Sequence, residues 1–507
     1  MNKEAHQAEY IQIHDLNQQR EQDVHNFDYA LRLSSQDLSG IGSFQRYHFF
    51  IQALSFCIGS FVIFNLHFLE NYPEYECRFS NSMTEYQQCS REFVCNPNIT
   101  DWRINFNSTH TLNNWIIDFD LHCEPQWKVG LLGFNLFFGI LIGSLVINPL
   151  GDIWGRATTY RFSMTLSILS NLLMVISYDL YLLYASLFLF GIASAGRSSV
   201  GHIWLMEHLP SDSQVYYATI SRFLEATAPI ITSFVFEYGD IDWRHIYYCT
   251  LGVSFFCLLG SFFIPESPKY LISLNRVIEA KRNIKKIAKF NGAYDSLTWK
   301  DFKFKKHIQK NGGQNERIKK STRQNIWKQP KQRANCLVMM INWFGVLFTF
   351  YTLNFLLKYM PGSIYDNTRF SSGADLTGYT LLCLFFTYLG AKKSLILFWG
   401  LLVILIPILI LNTDDWKAVA ILLFLNKLSV SALLDAIYII NVQLFEPQVR
   451  SYALGYCNIL GRFGAIFSPI VAELQDKIPL IVLLIVAILC LTVSCFLRVK
   501  KSDHNQR

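Results

Sequence analysis

Among the ionisable side chains inside long apolar runs of this chain, Arg197, Arg222, Glu225, Lys427, Asp435 and Arg462 are the candidates for chemistry. A charge held in hydrocarbon is costly, so those that persist face a cavity, pair with one another or mark a path for ions. Arg222 and Glu225 stand three apart on one helix face, where a local ion pair is the plain reading. Arg197 follows Gly191-Ile192-Ala193-Ser194-Ala195-Gly196, small residues at which helices pack closely, and suits packing or an internal pair. His202 reads as a hydrogen-bonded interior histidine rather than a proton relay, and Lys427 as a lysine snorkelling toward an interface. Arg462 differs, because no acid lies three or four residues away. Its planar fork of donors suits a bidentate grip on a carboxylate; the competing reading is a structural pair with Asp435.

The elements that position these groups are membrane spans. The 507 residues are 51% hydrophobic and only 16% charged, whereas large soluble proteins carry roughly a quarter charged residues. The apolar residues group into runs of about 20, the length a helix needs to cross a bilayer. Twelve such runs are expected at 48–69, 128–150, 158–178, 180–206, 216–237, 246–265, 334–358, 373–390, 394–412, 416–440, 451–472 and 479–498. The fold class expected is therefore an all-α polytopic membrane protein of twelve transmembrane helices. The first 43 residues are polar and lack the apolar core of a secretory signal, so the first span serves as its own insertion signal.

Charge sets the orientation. Residues 266–333 hold nineteen bases against five acids, while the rest of the chain sums to −7. A basic loop of this kind stays cytoplasmic. Within it Val277, Ala280, Ile284 and Ile287 share a helix face, which suits a helix lying on an anionic leaflet or packed beneath the bundle. The 70–127 loop has nine acids against three bases and belongs outside. It also carries Cys77, Cys89, Cys95 and Cys123, enough for two disulfides in one of three connectivities, and the acceptor sequons at Asn98 and Asn107. The chain thus divides into a cytoplasmic segment 1–43, a six-helix half 44–265, the basic loop 266–333, a second six-helix half 334–498 and a tail 499–507.

No phosphate-binding loop, nucleophile elbow or His-Glu-x-x-His run is present, so no enzyme activity is expected. No metal-ligand spacing occurs and no cofactor is expected. The basic run is thinly aromatic, which argues against a nucleic-acid partner. The partners expected are the lipid bilayer and a small organic ion; oligomeric state is left open.

Six spans, a long loop and six more suggest two related halves around a midplane site. The short inner loops agree: Asn148-Pro149-Leu150-Gly151-Asp152-Ile153-Trp154-Gly155-Arg156 follows span 2, and Leu389-Gly390-Ala391-Lys392-Lys393 follows span 8. Glu207 precedes Gln214 by seven residues after span 4, as Gln443 precedes Arg450 after span 10.

At these residues the chain resembles the major facilitator superfamily, and within it the organic cation, organic anion and carnitine transporter family. Asp152-Ile153-Trp154-Gly155-Arg156 is similar to the superfamily's Asp-Arg-x-Gly-Arg loop, and Pro265-Glu266-Ser267-Pro268-Lys269-Tyr270-Leu271 to its Pro-Glu-Ser-Pro-Arg-Trp-Leu. The narrower likeness rests on Phe44-Gln45-Arg46, on Asp118-Phe119-Asp120-Leu121-His122-Cys123 and on Asn342-Trp343-Phe344. It implies a multi-pass carrier of the plasma membrane, with Asp152, Gly155, Arg156, Glu207, Glu266, Lys392, Lys393 and Arg450 in the gates.

The chain departs from the pattern. Ile153 replaces the loop's first arginine, lysines replace the second half's paired arginines, and Gln443 stands where an acid is expected. The alternative from another class is accordingly a non-transporting membrane scaffold or receptor. For the substrate, the resemblance implies that the position of Arg462 selects charge, arginine marking anion and carnitine carriers. Tyr379 resembles the tyrosine of carnitine-type carriers, and an aromatic face can hold a quaternary ammonium. Asp435 would balance that cation, with Tyr438 and Tyr351 as further aromatic candidates; the plain reading of these tyrosines is packing. The expected function is alternating-access transport of an organic anion or a carnitine-like zwitterion, with a sugar or organic cation facilitator as the alternative. Sodium coupling is disfavoured, since Ile58-Gly59-Ser60 and Gln443 replace the residues that the resemblance associates with it.

Overall fold

The computed structural model describes residues 41–78, 86–97, 101–108, 110–239, 242–293, 327, 330–412, 416–445, 447–475 and 477–498. Asn98 lies outside them. Each expected span overlaps a helix over most of its length, although several helices end a few residues before the apolar run does. In the first half these are Ser43–Ile63, Gln126–Ile153, Arg156–Ile176, Leu180–Ala195 continued through Gly201–Met206, Ser211–Gly239 and Trp243–Ser261. In the second they are Pro330–Leu356, 364–389, 391–411, Trp416–Leu444, Pro447–Ala472 and Ile478–Cys495. We number them spans 1 to 12. Among the described residues, nine helices are long and apolar enough to cross a bilayer; spans 5, 6 and 8 are more polar. Span 8 starts at Ile364, earlier than its apolar run, because buried Thr368, Ser371, Ser372 and Asp375 extend the helix with side chains turned away from lipid.

Span 2 packs against span 11, and span 5 against span 8. Exchange of the two halves (2 for 8, 5 for 11) converts one pair into the other, as a pseudo-two-fold arrangement requires. Where spans 2 and 11 meet, a Cβ on Gly130 would approach Ile470 Cα to 3.2 Å, so the small residue permits the contact.

The face that carries the cysteine loop is called outer here, and the opposite face inner. The loop forms a three-stranded antiparallel sheet in the order Gln87–Cys89, Tyr75–Cys77, Trp102–Ile104. Of the three possible connectivities it takes Cys77–Cys89 and Cys95–Cys123. Asn107 is exposed in a turn beyond the third strand.

Of the two placements open to the basic amphipathic segment, Val277–Phe290 takes the packed one. Ala280, Ile284 and Ile287 are buried. Asn283 donates to the Glu266 carbonyl at 2.9 Å, and Asn291 accepts from the Phe44 amide at 2.8 Å and donates to Gln45 Oε1 at 3.1 Å. The Phe44-Gln45 pair at the start of span 1 thus anchors the linker helix beneath the first half.

Candidate functional site

At the outer face the halves meet through buried charge. Lys358, beyond the end of span 7, lies 3.0 Å from Glu70 after span 1 and 2.5 Å from Glu473 after span 11. Tyr359 donates to Glu473 at 2.6 Å. Arg369 of span 8 pairs with Glu237 of span 5, and His67 Nε2 lies 2.7 Å from Thr368 Oγ1. Among the described residues every ion pair that joins the halves is on this face, so the conformation is closed at the outer end.

Below this closure Glu225, Asn354, Asp375 and Tyr379 line a narrow cavity between the halves, with room for about one water molecule. Arg222 pairs with Glu225 at 3.0 Å, and its guanidinium lies 5.5 Å from the centroid of the Tyr438 ring. Tyr438 in turn meets Trp343 edge-on at 4.5 Å. Asp435 faces Arg222 and Glu225 electrostatically. Tyr351 packs on Phe137 at 4.5 Å and is a neighbour of Arg462. Arg462 is half-buried and makes no ion pair among the described residues, and its shielded Nε has no hydrogen-bond partner.

Several sequence expectations are corrected here. Lys427 does not snorkel: its Nζ is 3.6 Å from Asp375, 2.9 Å from Asn354 Oδ1 and 3.4 Å from the Phe350 ring centroid. A buried acid within reach competes well with an interface farther away. Asp435 makes no ion pair with Arg462 among the described residues; the charges that act on it are Arg222 and Glu225 of the opposite half. Of the two readings of Arg197, the packed one agrees with the structure: it is buried, makes no ion pair among the described residues, and donates to the Ser55 carbonyl and to Ser194 Oγ at 2.9 Å. His202 lies against Phe56, ring centroids 6.0 Å apart, and its Nδ1 has no hydrogen-bond partner among the described residues.

At the inner end of the first half, Arg156 lies 2.8 Å from Asp152 and 3.4 Å from Glu207, and its guanidinium sits 4.6 Å above Tyr270. Glu266 accepts the Arg156 amide at 3.0 Å and the Ser267 amide at 2.9 Å. Burial raises the Glu266 carboxyl above its ordinary value, opposed by these amides and by Arg156. Gly155 adopts φ +98°, and a Cβ there would overlap a Glu266 carboxylate oxygen. Gly390 repeats this backbone with φ +74°. Counted from that glycine, Ala391 stands where Arg156 stands. Lys392 donates to the Cys495 carbonyl at 2.6 Å, Lys393 and Gln443 are exposed, and the Arg450 Nε is shielded without a hydrogen-bond partner among the described residues.

The family model described as Major Facilitator Superfamily matches residues 106–390, more than half of the chain. The chain belongs to the major facilitator superfamily. Within it, the chain is similar to rat organic cation/carnitine transporter 2, 25% identical over 367 residues that cover 72% of this chain and 65% of the relative. It is also similar to mouse solute carrier family 22 member 21, 22% identical over 84% of this chain and 83% of the relative. The inward-open xylose transporter XylE of E. coli shares the fold with a TM-score of 0.57 at 11% identity, covering 95% of this chain and 98% of that one. The resemblance to organic cation and carnitine transporters is thereby supported, and this member of the superfamily is a multi-pass membrane protein.

Sequence reasoning missed Asp375 and the Glu70, Lys358 and Glu473 cluster. Asp375 had a signal: Thr368, Ser371, Ser372, Asp375 and Tyr379 recur at helical spacing and form one polar face of span 8. The outer cluster had none, because its three members come from segments far apart in the chain.

Proposed function

We propose that the protein moves small organic ions across the plasma membrane by alternating access, with anions and zwitterions favoured over simple cations. The observation that carries this reading is Arg462, a half-buried arginine within span 11 that no acid neutralises among the described residues. Such a charge is retained at a cost and suits a ligand carboxylate. Tyr379 lines the cavity and gives the cationic end of a zwitterion an aromatic face, and Asp435, which makes no ion pair within 4 Å among the described residues, would balance that cation. Relatives named for both organic cations and carnitine fit a site that holds both signs. The 70–127 loop is external in this reading, 266–333 is cytosolic, and movement proceeds by uniport or exchange.

The test is uptake of labelled carnitine, tetraethylammonium, an aromatic carboxylate and glucose into vesicles containing the protein. Saturable uptake of carnitine or the carboxylate supports the reading, and uptake of glucose or of tetraethylammonium alone overturns the substrate class. A second reading, a non-transporting scaffold or receptor, draws on the second half's inner loop, where Ala391 and Gln443 leave no charged lock like that of Arg156 and Glu207. No uptake of any of the four would favour it.

A further inference from the structure

The outer closure buries an odd number of charges. Glu70, Lys358 and Glu473 have side chains 0%, 1% and 2% exposed, and together they carry two carboxylates against one ammonium. They come from both halves, so the cluster exists only while the outer ends of spans 1, 7 and 11 are together. One Glu70 oxygen accepts from Lys358, and the other is shielded from solvent without a hydrogen-bond partner among the described residues. Glu473 is fully engaged, one oxygen on Lys358 and one on Tyr359. A net buried charge costs several kcal/mol, and the usual relief is neutralisation by a proton.

We propose that Glu70, held against Lys358 and Glu473, is a proton-binding site that fills as the outer face closes, so that closure takes up a proton from the outer solution. This rests on the alternating-access reading. The proton adds to the free carboxylate oxygen of Glu70 and returns to the same side on reopening, so no bond other than O–H is made or broken.

The groups around Glu70 fit this assignment. Tyr72, Tyr184 and Tyr247 face it from the outer loop and from spans 4 and 6, and Tyr359 faces Lys358. Phenols are neutral at the pH values concerned. Arg91 lies beyond Tyr72, 4.2 Å from its ring centroid, and does not touch Glu70. His67, an imidazole that also faces Lys358, is the control. Burial pushes the Glu70 carboxyl up, against the pull of Lys358 and with the help of Glu473. A carboxyl raised in the closed state favours closure fully below its open-state value and progressively less as pH rises toward its closed-state value.

The test reads conformation rather than transport, so its failure is separate from failure of the function. Ser371, which lines the cavity beneath the closure, is replaced by cysteine in the full-length protein in sealed cells. A membrane-impermeant thiol reagent is applied at external pH 5.5 and 7.5, and protein without the engineered cysteine gives the background. Comparison between backgrounds at equal pH cancels the thiol's own titration. Relative to the Glu70→Gln background, labelling should rise several-fold more between pH 5.5 and 7.5, bounded by about tenfold per pH unit for one proton.

Glu70→Gln leaves the neutral Lys358–Glu473 pair, so it should label slowly at both pH values. Glu473→Gln should also flatten the pH dependence, and Lys358→Gln should raise labelling at both. A latch that served only as an ion pair would open in Glu70→Gln. Rapid, pH-independent labelling in that variant overturns the proposal, as does a wild-type pH dependence that persists in Glu70→Gln or is lost in His67→Gln.

Discussion

Lys427 of span 10 and Asp375 of span 8 face one another at 3.6 Å inside the second half, their side chains 3% and 10% exposed. Ser431 donates to the same carboxylate oxygen, and Asn354 accepts from the lysine at 2.9 Å. Removing one partner strands a buried charge, which costs about 3–5 kcal/mol. Lys427→Met and Asp375→Leu should each lower surface expression and melting temperature sharply. The double variant should recover both, as measured by fluorescence-detected thermal unfolding of the solubilised protein. A double variant no better than the singles would show that the pair is not the source of the loss.

Arg462 should select substrate charge. Arg462→Lys keeps the charge and loses the planar fork, so uptake of a carboxylate substrate should fall roughly tenfold or more, as for the loss of a charged hydrogen bond of about 1.5–3 kcal/mol. Arg462→Asp should abolish it, because the new acid repels the ligand. Tyr379→Ala should weaken quaternary ammonium substrates more than plain carboxylates, since only the aromatic face is removed. Radiotracer uptake normalised to surface protein checks all three, and equal losses for both substrate types would count against the assignment.

Gating should be uneven between the halves. Glu207 contacts Arg156 at 3.4 Å, whereas Gln443 is exposed and Arg450 has no acid partner among the described residues. Glu207→Gln should therefore shift the protein toward inner accessibility far more than Gln443→Glu shifts it outward. Thiol labelling of introduced cysteines from each side would show this, and equal shifts would remove the asymmetry.

Gly155→Ala should be poorly tolerated. The left-handed backbone costs a non-glycine residue roughly 1–3 kcal/mol, and the added methyl would displace the Glu266 carboxylate. Gly390→Ala meets the same backbone cost, but nothing lies within 4 Å of its new Cβ. Thermal unfolding should rank the first variant as the less stable; the reverse order would contradict the packing at Gly155.

Topology gives the last test. Asn107→Gln should remove a glycosylation-dependent gel shift, and external protease should spare Lys303 in sealed cells. Cleavage at Lys303 from outside would overturn the charge-based orientation.

The twelve spans were legible in the chain because each apolar run must cover the hydrocarbon thickness, a local and one-dimensional requirement. So was the repeat, since Gly155 and Gly390 must each supply the same left-handed turn. Arg462 stood out for the same reason: an acid within one helical turn would have been visible in the sequence. What the chain order could not show was pairing between distant segments. Two connectivities other than Cys77–Cys89 with Cys95–Cys123 satisfied the same spacing. Lys427 met Asp375 rather than an interface, and Asp435 came under the influence of Arg222 and Glu225 of the other half rather than pairing with Arg462. The cluster of Glu70, Lys358 and Glu473 joins segments hundreds of residues apart. Helix formation is settled by neighbours in sequence, but the partner of a buried charge is settled by which helix faces pack together, and only the tertiary structure decides that.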